Sequence, residues 1–344
     1  MFFKELLTCL IVKEMANIGI NGFGRIGKQF FMAALKSKGK YNFFINDLAD
    51  LDYLVYSLNF DSVHPTLKNV RHDGKNIIIG KMKIPVYHET DPAKLPWKKH
   101  KIDVAVECTG LFTHKKDAEK HIKAGAKKVL ISAPGKNVDA TIIYKINNEK
   151  VKSEKVISAG SCTTNAVAPL VKVLNDNWKI ESSYFMTTHS YTSTQNLIDG
   201  HNRKSFVRGR AAAQNIIPTT SGASVSVAEG IPELKGKLDG YALRVPVVDG
   251  SFVTVVAKLK KKTSVEEINK TFKKLSTGSW KKILGYCDKP LVSQDIINNE
   301  HSCIVEPKYT KVQGDLVTVA AWYDNEYGYS HRLVDVLELM LKRK

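Results

Sequence analysis

The feature that most restricts what this chain can fold into is an apolar triplet, Ile18-Gly19-Ile20, running straight into Gly22-Phe23-Gly24-Arg25-Ile26-Gly27. Ile26, Phe30, Ala33 and Ala34 then recur at three- and four-residue intervals, the spacing of one helix face. Tyr41 to Ile45 reads as a second strand and ends at Asn46-Asp47. Glycines at these spacings alone also suit a surface turn. Strand, glycine turn, helix, strand and acid in that order describe a dinucleotide-binding unit. Gly22 permits the tight turn, Gly24 admits a pyrophosphate to the backbone, and Gly27 lets the helix pack close to the sheet. The helix start offers free N–H groups and a positive dipole end. Asp47 stands near the usual offset for the acid that accepts hydrogen bonds from ribose hydroxyls.

Further strand-like runs follow, the last two short and buried-looking as in a parallel sheet. Ile77 to Ile79 precedes Gly80, Ile102 to Val106 leads into Glu107-Cys108-Thr109-Gly110, and Val129 to Ile131 leads into Ser132-Ala133-Pro134. Residues 111–125, rich in Lys and Ala, read as a helix between the last two. Beyond about residue 160 the pattern changes. Phe252 to Ala257 and Leu316 to Trp322 alternate as antiparallel strands do. Val265 to Leu275 is an amphipathic helix with Ser264 as N-cap and acids in its first turn. Arg332 to Leu341 is helical again. The expected fold is α/β: a Rossmann-type dinucleotide-binding domain over 15–161 and an α+β catalytic and substrate domain with a largely antiparallel sheet over 162–325. The C-terminal helix, 326–344, is expected to pack back on the first domain. A length of 344 residues agrees with two domains at about 150 residues each.

Composition removes several classes. With 43 % hydrophobic and 25 % charged residues the chain is not disordered, and no run reaches the roughly 18 apolar residues of a membrane span. Cys9, Cys108, Cys162, Cys287 and Cys303 form neither a CxxC pair nor a zinc spacing, so no metal site is expected and a reducing cytoplasm is. Fifty-two Lys and Arg against 34 Asp and Glu leave a net charge of +18. The lysines are dispersed in pairs and triplets, which reads as a solubilising surface. Nucleic acid is not expected as a primary partner, though the charge leaves a secondary role as an alternative. Residues 1–14 precede Met15 and the first strand. They are expected to be an extension outside the fold or to lie before the true start.

Candidate chemistry concentrates in Ser161-Cys162-Thr163-Thr164-Asn165. Val167, Leu170, Val171 and Leu174 mark a helix face, and Pro169 is tolerated only near a helix start. Cys162 therefore lies near a helix N-terminus, where the dipole favours a thiolate nucleophile. Many free cysteines are simply small buried hydrophobes, so position alone leaves its role open. Ser182 to Thr188 reads as a strand ending in His189, placed to act as a base toward a thiol.

Asn21 to Gly27, Ser161 to Asn165, Arg208-Gly209-Arg210-Ala211-Ala212-Ala213-Gln214-Asn215-Ile216-Ile217-Pro218 and Trp322 to Ser330 together resemble, in order and from about Met15 onward, the phosphorylating glyceraldehyde-3-phosphate dehydrogenases. The resemblance implies oxidation of D-glyceraldehyde 3-phosphate with inorganic phosphate, through a thiohemiacetal and then a thioester on Cys162, with His189 as base. It implies one phosphate position at Thr192 and Arg244 and a second at Ser161, Thr163, Arg208, Ser221 and Gly222. Arg25 and Ile26 would meet the pyrophosphate through backbone, Asp47 the ribose, Thr109, Gly110 and Ser132 the nicotinamide side, and Asn325 the carboxamide. NAD is implied as the preferred cofactor and NADP as an alternative, because Asp47 repels a 2′-phosphate while His201, Asn202 and Arg203 soften that exclusion. A homotetramer is implied, with residues 190–218 between subunits. The sequence departs from the family pattern at Ala166, Ser221 and Thr90. An erythrose-4-phosphate dehydrogenase is the nearest alternative.

Overall fold

The computed structural model describes residues 15–203 and 205–342; the expectation for residues 1–14 falls outside them. Two sheets organise the chain. The first contains β1 (Ala16–Asn21), β2 (Tyr41–Asn46), β3 (Arg71–His72), β4 (Asn76–Ile79), β5 (Met82–Tyr87), β6 (Val104–Glu107), β7 (Lys128–Ile131), β8 (Ala140–Thr141) and β9 (Val156–Ser158). Their spatial order is β3-β4-β5-β2-β1-β6-β7-β9-β8. From β2 to β8 every pairing is parallel, so the chain winds outward from β1 in both directions and leaves a crevice beyond the carboxyl ends of β1 and β6. The run at Ile77 to Ile79 forms β4, in an antiparallel edge, β3-β4-β5.

The helices α1 (Arg25–Lys36), α2 (Leu51–Asn59) and α3 (Lys115–Lys123) flank this sheet. The third is shorter than the 111–125 expected, since Gly110 holds a positive φ of 72° and the chain turns before the helix begins. A buried polar chain underlies the carboxyl ends of the strands. Trp97 Nε1 donates to His121 Nδ1 at 3.0 Å, so the His121 proton sits on Nε2 and reaches Glu107 Oε2 at 3.1 Å. Glu107 also accepts from Asn21 Nδ2, and Asn21 Oδ1 accepts from Asn46 Nδ2. Every buried polar group there has a partner, which is the condition for burying a carboxylate at all.

Helix α4 (Cys162–Trp178) crosses to the second sheet, built from β10 (Ile180–Ser190), β11 (Ile217–Thr220), β12 (Leu238–Val245), β13 (Ser251–Leu259), β14 (Leu284–Tyr286), β15 (Cys303–Val305), β16 (Lys311–Gln313) and β17 (Leu316–Tyr323). Its order is β11-β12-β10-β13-β17-β15-β14, with β16 on β17. The sheet is mostly antiparallel; β10 with β12 and β14 with β15 run parallel. Three more helices complete the chain: α5 (Ala223–Gly230), α6 (Val265–Thr277) and α7 (Tyr327–Lys342). Helix α7 starts five residues ahead of the apolar run Arg332 to Leu341 and within one residue of the expected 326, where Asp324 Oδ1 accepts the backbone N–H groups of Glu326 and Tyr327 and so caps it. Its Leu333, Val336, Leu337 and Met340 belong to the hydrophobic core of the first sheet, against Phe30, Phe31 and Ile157. Pro169 sits in the second turn of α4, deeper than a helix start, so the Asn165 carbonyl loses its usual helical donor.

Candidate active site

The turn after β1 fits a dinucleotide. A Cβ on Gly27 would lie 2.0 Å from the Gly22 carbonyl oxygen, and one on Gly22 would lie 2.8 Å from the Thr109 N, whereas Gly24 faces open space. The two crowded glycines bring turn, helix and β6 together, and the open one leaves backbone accessible. Among the described residues no side chain caps α1 at Gly24, so its first-turn amides, Arg25 and Ile26 among them, remain available to an anion. Asp47 lies at the end of β2 with its carboxylate held by Phe23 N at 2.6 Å and Ala49 N at 2.9 Å. Across the crevice, the Glu107 carboxylate accepts from both the backbone N and the hydroxyl of Thr109. Ser132 N donates to the Glu107 carbonyl, which sets Thr109, Gly110 and Ser132 at neighbouring strand ends. The Arg25 side chain is engaged elsewhere: it clamps Glu326 through Nε and Nη2 and reaches Asp61 through Nη1.

Cys162 is the first residue of α4. Ser161 caps the helix, accepting from Thr164 N at 3.1 Å, while the Thr164 hydroxyl accepts from Ser161 N. Strand β10 continues through His189, one residue beyond the expected end, because β12 pairs with it as far as Ser190. Helix start and strand end meet: Cys162 Sγ stands 3.4 Å from His189 Nε2. Burial pushes the Cys162 thiol up, against the pull of Arg244. Burial, with the positive charges of Arg244 and Arg208, draws His189 down to about 3. Both directions favour the thiol and the neutral imidazole over the ion pair. The dipole argument for a resting thiolate is outweighed by desolvation.

His189 Nδ1 lies 2.7 Å from the Ser190 carbonyl and 2.7 Å from Arg244 Nη1. A guanidinium only donates, so Nδ1 either accepts from Arg244 or donates to Ser190. Only the second choice leaves a lone pair on Nε2 toward Cys162. Tyr323, buried behind the pair, links Thr163 Oγ1 at 3.1 Å and Thr187 Oγ1 at 2.7 Å, with its ring edge-on to His189.

A cavity of about 650 Å³ opens beside these groups, lined by Thr192, Thr194, Ser205, Arg208, Pro218, Thr219, Thr220 and Arg244. Thr192, Arg208 and Arg244 are thus together in one space, although the sequence reading assigned Arg208 to a different phosphate position from the other two. Arg208 Nη1 donates to Thr194 Oγ1, and the buried Arg244 Nε has no hydrogen-bond partner among the described residues. Ser161, Thr163, Ser221 and Gly222 do not line this cavity. Ser161 and Thr163 are bonded as described, Ser221 Oγ accepts from Ala223 N, and Gly222 precedes α5. Sequence reasoning missed Thr194, Thr220 and Tyr323. Nearness in sequence to Thr192, Ser221 and Asn325 is the one signal the chain offers for them. Asn325 lies at the end of β17, where Ser190 and Ser251 donate to its Oδ1.

A dinucleotide-binding sheet beside a cysteine–histidine pair, carried by α4 and β10 at the edge of an arginine-lined cavity, defines a class, the dinucleotide-dependent dehydrogenases with a thiol poised for an electrophilic carbon. Comparison narrows the class. Residues 16–115 match the family model for the glyceraldehyde 3-phosphate dehydrogenase NAD binding domain, and residues 161–325 match that for its C-terminal domain. The chain is 46 % identical over 325 residues to a glyceraldehyde-3-phosphate dehydrogenase of Priestia megaterium, covering 93 % of this chain and 97 % of that protein. It is 47 % identical over 323 residues to the one from Geobacillus stearothermophilus, covering 93 % and 96 %. With glyceraldehyde-3-phosphate dehydrogenase 1 of Kluyveromyces marxianus it shares 44 % over 327 residues, covering 94 % and 99 %. The chain belongs to the glyceraldehyde-3-phosphate dehydrogenase family, and its N-terminal sheet is an NAD-binding domain. Among the described residues, no helix is long and apolar enough to cross a membrane.

Proposed function

We propose that this chain oxidises D-glyceraldehyde 3-phosphate to 1,3-bisphosphoglycerate with inorganic phosphate, as a glycolytic or gluconeogenic enzyme of the cytoplasm. The observation that carries the reading is the 3.4 Å approach of Cys162 Sγ to His189 Nε2 beside a cavity holding both Arg208 and Arg244. The Cys162 sulfur adds to the aldehyde carbon as its proton passes to His189 Nε2, forming the oxyanion of a thiohemiacetal. The backbone N–H of Cys162, at the start of α4, faces the oxyanion that develops. NAD, when bound, accepts the hydride that converts the thiohemiacetal to a thioester. A phosphate oxygen then attacks the thioester carbon, the C–S bond breaks, and the Cys162 sulfur regains its proton. Arg208 and Arg244 supply forked donors for the phosphate groups. An anion between them also offsets the positive field that depresses His189, so substrate binding raises the basicity of the group that must take the proton.

Asp47 supports NAD over NADP, since a 2′-phosphate at the end of β2 meets its carboxylate. A division into 15–161 with the C-terminal helix and 162–325 is supported by the two hydrophobic cores. A homotetramer is supported by the apolar side chains that segment 190–218 exposes, Leu197, Ile198, Phe206 and Ile216, with Phe206 at 92 % exposure. Sedimentation velocity tests that assembly; a monomeric profile contradicts it. Initial rates with glyceraldehyde 3-phosphate, phosphate and NAD or NADP test the reaction. Phosphate-dependent reduction of NAD in the wild type and none in Cys162→Ala is the expected result. A folded wild type inactive on this substrate but active on erythrose 4-phosphate overturns the substrate assignment.

A further inference from the structure

Asn325 lies between the two parts of the candidate site. Ser190, which follows His189, touches its side chain, and the next residue, Glu326, clamps Arg25 at the glycine turn. Its amide is only 4 % exposed. Two hydroxyls converge on Oδ1, Ser251 Oγ at 2.6 Å and Ser190 Oγ at 2.9 Å. Ser251 Oγ also accepts the Ser190 backbone N–H at 3.1 Å. With one lone pair so engaged, Ser251 turns its own proton to Asn325 Oδ1, as Ser190 Oγ does, and the two donors orient the amide with its oxygen toward the serines. The oxygen is taken up by the protein, and Nδ2 has no hydrogen bond among the described residues.

Ser251 is itself held firmly. Gly250 before it adopts φ +88°, and a Cβ there would lie 2.5 Å from the Ser293 carbonyl oxygen. The turn between β12 and β13 thus delivers the Ser251 hydroxyl to a defined point.

We propose that Ser251, together with Ser190, is a positioning residue for the cofactor: the two hydroxyls lock the Asn325 amide so that Nδ2 is the group presented to the nicotinamide carboxamide oxygen. This rests on the reading of Asn325 as the carboxamide contact. Without the two hydroxyls the amide rotates freely between a donating and an accepting face, and part of the binding energy for the nicotinamide end is lost to ordering it.

The test is equilibrium binding, followed by tryptophan fluorescence or calorimetry, of NAD and of ADP-ribose, which lacks the nicotinamide. Wild type, Ser251→Ala, Ser190→Ala and Asn325→Ala are compared. Each serine variant is expected to bind NAD about threefold to tenfold more weakly, the range for one buried hydrogen bond, while ADP-ribose affinity stays within about twofold. Retained ADP-ribose binding also reports an intact fold. Equal weakening toward both ligands means that the hydroxyls serve packing and overturns the proposal. Unchanged NAD affinity in the serine variants, with a selective loss in Asn325→Ala, overturns it while leaving the Asn325 reading intact. No selective loss in Asn325→Ala overturns both.

Discussion

At the residue scale, protonation decides how the site works. Burial holds the Cys162 thiol above its ordinary range, and Arg244 is the first group opposing that rise. The same guanidinium adds to burial in drawing His189 down. Removing it in Arg244→Leu should therefore move both groups upward. The pH midpoint for alkylation of Cys162 by iodoacetamide is expected to rise, and the titration of His189 followed by NMR is expected to rise with it. An unchanged alkylation midpoint would show that Arg244 does not reach the thiol electrostatically. For His189→Asn, which keeps a polar side chain but no base, kcat should fall by about 10²–10⁴-fold, the usual contribution of a positioned general base. A loss below tenfold assigns the proton to another acceptor.

At the element scale, two local patterns in the sequence are realised as atoms in contact. Ser264 opens α6 with a capping box, its hydroxyl accepting from Glu267 N and Glu267 Oε2 accepting from Ser264 N. Ser264→Ala is expected to cost about 0.5–2 kcal/mol of stability, read by urea denaturation, with kcat unchanged because α6 lies apart from the site residues. Gly27 is the opposite case. Gly27→Ala places a methyl group 2.0 Å from the Gly22 oxygen, so the glycine turn must open. NAD and ADP-ribose should both bind at least tenfold more weakly, a difference of about 1.4 kcal/mol; equal affinities for the variant and the wild type would mean that the turn yields without consequence. Element ends were less legible than element cores. The start of α7 depends on Asp324 as a cap, and the end of β10 depends on its pairing with β12. Neither signal is periodic, so neither stands out in a single sequence.

At the scale of the whole molecule, a buried cluster joins the first sheet's half to the second's. His64 Nε2 lies 2.9 Å from Glu326 Oε2 and 3.5 Å from Asp249 Oδ2, and its Nδ1 lies 2.9 Å from Asn298 Oδ1. Burial works against a charge on His64, but the bonds to Glu326 and Asn298 and the nearby carboxylates outweigh it and raise its pKa. Burial, with Asp324 and Glu326 close by, pushes Asp249 up to about 8. An acid whose folded pKa exceeds its unfolded value of about 3.9 stabilises the fold most at low pH, and that contribution fades as pH climbs toward the folded pKa. Asn at this position takes up no proton and can donate to Asp324. Asp249→Asn should therefore raise the thermal midpoint, by little at pH 5 and by more at pH 8. Parallel pH profiles for the two proteins would show that Asp249 is ionised throughout.

The sequence by itself determined the dinucleotide-binding unit, the change to an alternating-strand sheet, and the identities of Cys162 and His189 as the residues to watch. Those signals are local, carried by glycine spacing, apolar period and residue type within a few turns of chain. Tertiary structure alone decided that burial works against charge on both the thiol and the imidazole, that Arg208 and Arg244 face one cavity, and that Ser190 and Ser251 converge on Asn325. Each of these depends on groups tens to more than a hundred residues apart in sequence, and on burial that no window of sequence records. Desolvation and hydrogen-bond direction exist only once the chain has closed on itself.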